Sequence, residues 1–168
     1  EDIAALATKE NFLDGKDYKL GVTTPHIVFN FLDYLLWKNN KSKYSDFEFE
    51  FRNSVEHWYP QNPSDGSFDS WDDKDTFGNL CIISRSVNSK FSNLSPESKM
   101  KSYGKMVQKG SLKLRIMGDI IEKSSNDKWI KVQCHEHGAE MIDILETACR
   151  TFCLLYTSPS PRDMRRSR

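Results

Sequence analysis

Residues 47–61 constrain the fold of this chain more than any other stretch. Phe and Glu alternate strictly from Phe47 to Phe51, the pattern of a half-buried strand whose Phe side chains face a core. Pro60 has no N–H to donate to a ladder and must end the strand. Neighbouring strand residues point to opposite faces, so Glu56 and His57 can share a site only where the strand bulges or gives way to a loop. We expect Pro60 to supply that break.

A second strand and a short helix are expected after a long polar loop. The loop, residues 61–77, is rich in Asp, Ser and Gly, and the chain then enters a short apolar run at residues 79–83. Ser84 or Ser86 is expected to cap a short helical turn that contains Asn88. The pattern predicts a hairpin followed directly by a helix.

Helix signals occupy much of the remaining chain. Thr24-Pro25 predicts a helix start with Thr as N-cap and Pro at the first helical position. Apolar residues recur at helical spacing from Ile27 to Leu36, Ser95-Pro96 predicts a further start, and the chain is amphipathic from Gly138 onward. Residues 110–121 fit either a strand or a helix. The predicted fold class is α+β.

Length and composition favour one globular domain in a reduced compartment. The chain has 168 residues and is 38% hydrophobic, which is enough for a single core. We expect a cytoplasmic protein without a membrane partner, because no apolar run has membrane-spanning length and no secretory signal is present. Four scattered cysteines are too few for a disulfide framework, and without paired Cys-x-x-Cys spacing we expect no structural zinc.

The sequence suggests three segments. Residues 1–23 carry weak periodicity and are interpreted as the remnant of a preceding helical region. Residues 24–153 are expected to form the domain. Residues 154–168 resemble the translation of a sequencing adapter and are expected to be a non-native or disordered tail. The chain has no initiator Met, so we expect it to be a fragment of a longer protein.

Charge is distributed unevenly although the formal net charge is zero. Residues 65–75 contain five Asp against one Lys, whereas residues 90–115 contain seven basic residues against one Glu. The basic segment predicts a surface that faces a phosphate backbone, with Lys99, Lys101 and Lys105 as DNA contacts. The alternative is a solvated, lysine-rich helix face.

The residues around the predicted strand end have the chemistry of phosphodiester hydrolysis. That reaction needs an activated water, neutralisation of charge on the phosphate and help for the leaving oxygen. A neutral imidazole such as His57 can activate the water. Mg²⁺ prefers oxygen ligands and retains several waters, so the carboxylate of Glu56 and the amide oxygen of Asn88 can hold it. The alternative is an internal Glu–His hydrogen bond in a purely structural domain.

The spacing of these residues resembles the HNH nuclease motif of ββα-metal folds. The strand ends in Glu-His-x-x-Pro-Gln, Gly78-Asn79 follows the loop, and Asn88 begins Asn-Ser-Lys-x-x-Asn. In that motif a hairpin carries the acid–histidine pair and a short following helix carries the last ligand. The resemblance implies a ββα-metal (HNH) hairpin-plus-helix motif embedded in a mainly helical scaffold.

A closer resemblance is to the C-terminal HNH domain of two-domain phage-defence proteins, which are similar to type IV, modification-dependent restriction enzymes. It covers about residues 24–152 and includes the landmark Gly138-Ala139-Glu140-Met141-Ile142. The N-terminal half of those proteins is a ParB-like nucleotidase. The resemblance therefore implies a restriction endonuclease domain whose partners are DNA and an N-terminal ParB-like domain.

The resemblance also implies a role for each site residue. His57 is the general base, with its second ring nitrogen held by a backbone carbonyl, and Glu56 and Asn88 hold Mg²⁺ or Mn²⁺. Asn79 is expected to pin the loop between hairpin and helix. The supporting residues near the site are Gln61, Lys90 and Asn93. The alternative function is a non-catalytic DNA-binding domain that retains the HNH fold.

Overall fold

The computed structural model describes residues 20–64, 71 and 74–157, with side chains as far as residue 151. Within those residues, five α-helices surround a two-stranded antiparallel hairpin. In chain order the elements are α1 (His26–Asn39), β1 (Ser54–His57), a 3-10 helix (Phe77–Asn79), β2 (Leu80–Ile83), α2 (Arg85–Phe91), α3 (Pro96–Gln108), α4 (Leu112–Lys123) and α5 (Lys131–Thr157). The α+β class is confirmed. No helix in the described part of the chain has the length and apolar character to cross a membrane.

The hairpin lies between two hydrophobic clusters. Strand β1 pairs with β2 in the register Ser54↔Ile83 to His57↔Leu80, and every residue of β2 is buried. Leu80 and Ile82 belong to one cluster, whose other members come mainly from α1 and α5. Cys81 and Ile83 belong to the second cluster, which combines apolar residues of α4 with aromatic residues such as Trp58 and Phe91. Because side chains alternate along a strand, β2 contributes to both clusters. The predicted second strand is confirmed.

The predicted strand at Phe47–Phe51 is wrong. These residues have no strand structure, and Phe49 and Phe51 are 56% and 87% exposed. The reason is the length of the partner, since β2 ends at Ile83 and the chain then turns into α2. No ladder is therefore available before Ser54. Phe47 is buried, and its ring lies 4.9 Å from that of Phe49 in an edge-on contact.

Two of the predicted helix caps are present and one is not. Ser84 accepts from the Val87 N–H at the start of α2, and Ser95 accepts from the Ser98 N–H at the start of α3. The Thr24 cap is wrong, because its hydroxyl accepts from the Gly21 N–H at 2.8 Å in the preceding turn. Helix α1 consequently begins at His26 with no side-chain cap.

Helices α4 and α5 resolve the rest of the sequence pattern. Residues 110–121, which fit either structure, form most of α4 behind an N-cap at Ser111. The helix predicted from Gly138 onward is confirmed within α5, and its backbone continues to Thr157, into the predicted tail. The expectations for residues 1–19 and 158–168 lie outside the described residues.

A close approach of glycines sets α5 against the 3-10 helix. A Cβ on Gly78 would overlap the carbonyl of Cys134, and a Cβ on Gly138 would lie 3.0 Å from the Cα of Gly78. Only two glycines allow the backbones to approach this closely. The contact fixes the position of Asn79, the next residue in the 3-10 helix.

Candidate functional site

A polar cavity of about 270 Å³ lies where β1 ends against α2. Five of the predicted site residues line it, namely Glu56, His57, Gln61, Asn88 and Asn93. Its other lining residues are Val55, Pro60, Asn62 and Ser92. The structure thus brings the neighbouring carboxylate and imidazole of Glu56 and His57 to one cavity with the amide of Asn88, which lies much further along the chain. Lys90 is exposed on α2 and does not line the cavity.

Glu56 forms the buried wall of this cavity. Its Oε1 lies 2.7 Å from Nζ of Lys99, and its side chain is only 8% exposed. Burial raises the pKa of Glu56, while the neighbouring Lys99 ammonium acts in the opposite direction. One carboxylate oxygen is therefore held by an ion pair within the protein.

The predicted DNA contact at Lys99 is wrong. Its side chain is fully buried, and besides Glu56 its Nζ donates to the backbone carbonyls of His57 and Trp58 at 2.8 and 2.9 Å. Burial lowers the pKa of this lysine, and the Glu56 carboxylate opposes that shift. Lys99 thus ties α3 to the end of β1, and in the same basic segment Lys113 and Arg115 are also buried.

His57 is held by a carboxylate that the sequence did not single out. Its Nε2 lies 2.8 Å from Oδ1 of Asp75, and Gln61 donates to the same oxygen at 3.2 Å. The hydrogen bond from His57, supported by the one from Gln61, lowers the pKa of Asp75. The expected backbone carbonyl partner for His57 is therefore wrong. Asp75 lies at the end of the acidic loop, where five Asp residues in eleven positions offered a signal of charge but not of partner.

Asn79 pins the loop that carries these residues. Its side-chain amide donates to the carbonyls of Tyr59 and Lys74, both at 2.9 Å, and its Oδ1 accepts from the Tyr59 N–H at 2.8 Å. The side chain is fully buried behind the cavity. These three bonds connect the segment after β1 to the end of the acidic loop. His57 and Asp75 are brought together as a result.

Asn88 lines the cavity from helix α2. Its Nδ2 donates to Ser54 Oγ at 2.7 Å, which orients the side chain, and Oδ1 has no hydrogen-bond partner among the described residues. A carboxylate oxygen and an amide oxygen at one polar cavity fit the ligand preference of Mg²⁺. Within the described residues no group of three His, Cys, Asp or Glu side chains is placed to hold a metal. Glu56 and Asn88 supply one carboxylate and one amide oxygen to this cavity.

Comparison with known proteins identifies one family. Residues 8–144 match the family model for GmrSD restriction endonucleases, C-terminal domain. The match covers most of the 168 residues, including every residue that lines the polar cavity. It begins within the segment interpreted as a preceding helical region. No curated protein and no solved structure matches the chain.

Proposed function

This chain belongs to the family of GmrSD restriction endonuclease C-terminal domains, and we propose on that premise that it hydrolyses DNA phosphodiester bonds with a divalent metal ion. The family is one of restriction endonucleases, which implies a DNA substrate. The observation that carries the proposal is the polar cavity, because Glu56, His57 and Asn88 all line it. We place the domain in a phage-defence restriction system, with an N-terminal ParB-like domain as its partner in the full-length protein.

His57 acts as the general base. Its imidazole takes a proton from a water molecule as the water oxygen attacks phosphorus, and the bond from phosphorus to the 3′ oxygen breaks. The departing 3′ oxygen takes a proton from solvent, leaving a 5′-phosphate and a 3′-hydroxyl. A positioned base of this kind contributes about 100-fold to 10,000-fold to the rate.

Glu56 and Asn88 hold the metal ion. Bound Mg²⁺ or Mn²⁺ supplies positive charge that offsets the charge developing on the phosphate and the leaving oxygen. Each of these side chains uses one polar atom within the protein, since Asn88 Nδ2 donates to Ser54 and Glu56 Oε1 accepts from Lys99. The second polar atom of each side chain, Oδ1 of Asn88 and Oε2 of Glu56, remains for a ligand.

Exposed lysines provide the contact with the DNA backbone. Lys101 and Lys105 are exposed on α3 four residues apart, and Lys109 follows at the same spacing. The helix is kinked at Tyr103, between Lys101 and Lys105, whereas Lys105 and Lys109 lie one turn apart and line the same groove. Exposed ammonium groups of this kind attract phosphates without reading sequence.

The test is plasmid cleavage by the purified chain with Mg²⁺ or Mn²⁺. We expect His57→Ala and Asn88→Ala each to lower the cleavage rate by about 100-fold or more. His26→Ala is the matched control, because His26 is exposed on α1 and does not line the cavity. Equal cleavage by the wild type and both site variants would refute the nuclease assignment.

A second candidate is a DNA-binding domain that retains the fold without turnover. The observation in its favour is the ion pair between Glu56 and Lys99, which already neutralises the carboxylate that a metal would need. This candidate predicts salt-dependent DNA binding that Lys101→Ala and Lys105→Ala weaken, with no metal-dependent nicking.

A further inference from the structure

We propose that Asp75 is a positioning residue that sets the tautomer of His57. The inference rests on the proposed function, in which His57 is the base, and deepens it by naming the group that prepares that base. The contact on which it depends joins His57 Nε2 and Asp75 Oδ1 at 2.8 Å.

The chemistry of the two groups decides which nitrogen carries the proton. An ionised carboxylate only accepts hydrogen bonds, whereas a neutral imidazole has one donor nitrogen and one acceptor nitrogen. Nε2 of His57 must therefore carry the proton that Asp75 accepts. Nδ1 is left with the lone pair that takes a proton from water.

The residues directly before and after Asp75 in the sequence, Lys74 and Thr76, are both anchored. The carbonyl of Lys74 accepts from Asn79 at 2.9 Å, and Thr76 forms a β-bridge with Gly21. Lys74 also donates from Nζ to the carbonyl of Gln61 at 2.7 Å, and the Gln61 amide donates to Asp75. The carboxylate is thus aimed at His57 by anchored neighbours.

A purely structural role accounts poorly for this arrangement. The Asp75 side chain is 64% exposed, and the His57 side chain is 19% exposed. A hydrogen bond between a neutral imidazole and a solvent-exposed carboxylate contributes little net stability, because water can satisfy the carboxylate instead. Orientation of a reactive imidazole needs no large contribution to stability, because it depends only on which proton position is favoured.

Two substitutions of Asp75 test how it orients His57. Both remove the carboxylate charge, and only Asn keeps a group that can hydrogen-bond to the imidazole. The amide of Asp75→Asn can donate to Nε2 and so favour the tautomer with the proton on Nδ1, which cannot act as the base. Asp75→Ala removes the partner and leaves both tautomers populated. Loss of a carboxylate that orients a histidine typically costs about 10-fold to 100-fold in activity, and we expect Asn to be at least as harmful as Ala.

The experiment combines imidazole nitrogen NMR with plasmid cleavage in the presence of Mg²⁺. Long-range proton–nitrogen spectra report the tautomer of each histidine, and His57→Ala identifies the His57 signals among the four histidines. We expect the proton on Nε2 in the wild type and a shift towards Nδ1 in Asp75→Asn. Both Asp75 variants should lower kcat with KM changed less than twofold, while the exposed Asp143→Asn on α5 changes neither.

Three results would overturn the proposal. The first is an unchanged His57 tautomer in both Asp75 variants. The second is an unchanged kcat despite an altered tautomer. The third is recovery of cleavage at high Mg²⁺ concentration, which would make Asp75 a metal ligand. If the wild type shows no cleavage that depends on His57, the proposed function fails, and the tautomer spectra still decide the Asp75 contact by themselves.

Discussion

Lys99 and Lys113 are both fully buried, yet their surroundings differ. Lys99 lies at the cavity wall, where its ammonium is 2.7 Å from the Glu56 carboxylate. Lys113 lies in the interior behind the 3-10 helix, where it donates to the carbonyl of Phe77 at 2.8 Å and lies 3.2 Å from Nε2 of His137. One lysine has an opposite charge as its closest partner, and the other has neutral ones.

The difference shows that a carboxylate partner opposes the effect of burial at one lysine, whereas neutral partners surround the ammonium group of the other. Burial lowers the pKa of Lys113 to about 8 and lowers that of His137 well below its usual range. Among the described residues no carboxylate bonds Nζ of Lys113, although its backbone N–H donates to Asp33 at 3.3 Å. At Lys99 the Glu56 carboxylate opposes the lowering by burial. An ion pair therefore holds the site, whereas Lys113 holds the 3-10 helix through a hydrogen bond to the carbonyl of Phe77.

The largest expected effect comes from removing the compensated charge. Lys99→Met leaves the Glu56 carboxylate buried without a partner and also frees the carbonyls of His57 and Trp58. We expect a loss of about 3–5 kcal/mol in the free energy of unfolding, measured by urea titration at pH 7. Adding Glu56→Gln to Lys99→Met should recover part of that loss, and an equal loss in the double variant would contradict the role of the ion pair.

Lys113→Met should be less harmful than Lys99→Met. It leaves the Phe77 carbonyl without its donor, but the nearby Asp33 carboxylate keeps its hydrogen bond to the backbone N–H of residue 113. We expect a loss of about 1–3 kcal/mol, the cost of an unsatisfied buried polar group. Urea titration under the same conditions measures it, and a loss larger than that of Lys99→Met would reverse the comparison.

The pH dependence of stability should distinguish Lys113 directly. Its pKa in the folded protein is about 8, below the ordinary 10.5, so the unfolded chain binds more protons between these values. The stability of the wild type should therefore rise with pH in that range relative to Lys113→Met, by at most about 1.4 kcal/mol per pH unit. Unfolding free energies of both proteins at pH 7, 8, 9 and 10 provide the measurement. A difference that falls with pH would contradict a lowered pKa for Lys113.

The smallest effect on stability is expected at Lys101, two residues after Lys99 on the same helix. Its side chain is exposed, so Lys101→Ala should change the unfolding free energy by less than about 0.5 kcal/mol. DNA affinity should nevertheless fall, and the slope of log affinity against log salt should decrease in magnitude by about 0.9. Fluorescence anisotropy with labelled duplex over a salt series tests this, and an unchanged slope would exclude a phosphate contact.

Local signals in the sequence predicted much of the secondary structure. Ser84 and Ser95 cap their helices because a hydroxyl satisfies an N–H only three residues away. The apolar run of β2 and the amphipathic pattern of α5 are equally local. The predicted strand at Phe47–Phe51 was wrong for a non-local reason. An alternating pattern shows that a segment can pair with a strand, but it does not show whether a partner strand is long enough to reach it.

The candidate site was predictable to the level of residue types. The spaced motifs predicted Glu56, His57 and Asn88 as site residues, and in the structure all three line one cavity. The partners of these residues could not be read from the chain. Lys99 lies 43 positions from Glu56, and Asp75 lies 18 positions from His57, so no local rule connects them.

The sequence by itself determined the Ser84 and Ser95 caps, the helix from Gly138 onward, the second strand and the kinds of side chain at the site, since each depends on neighbours a few residues apart. Only the tertiary structure decided which charges face solvent and which are buried. Lys99 and Lys101 are two residues apart on one helix, and the direction of the helix relative to β1 makes one the partner of Glu56 and leaves the other exposed. Burial is a property of the packed molecule, and it decides whether a lysine forms an internal ion pair or faces solvent.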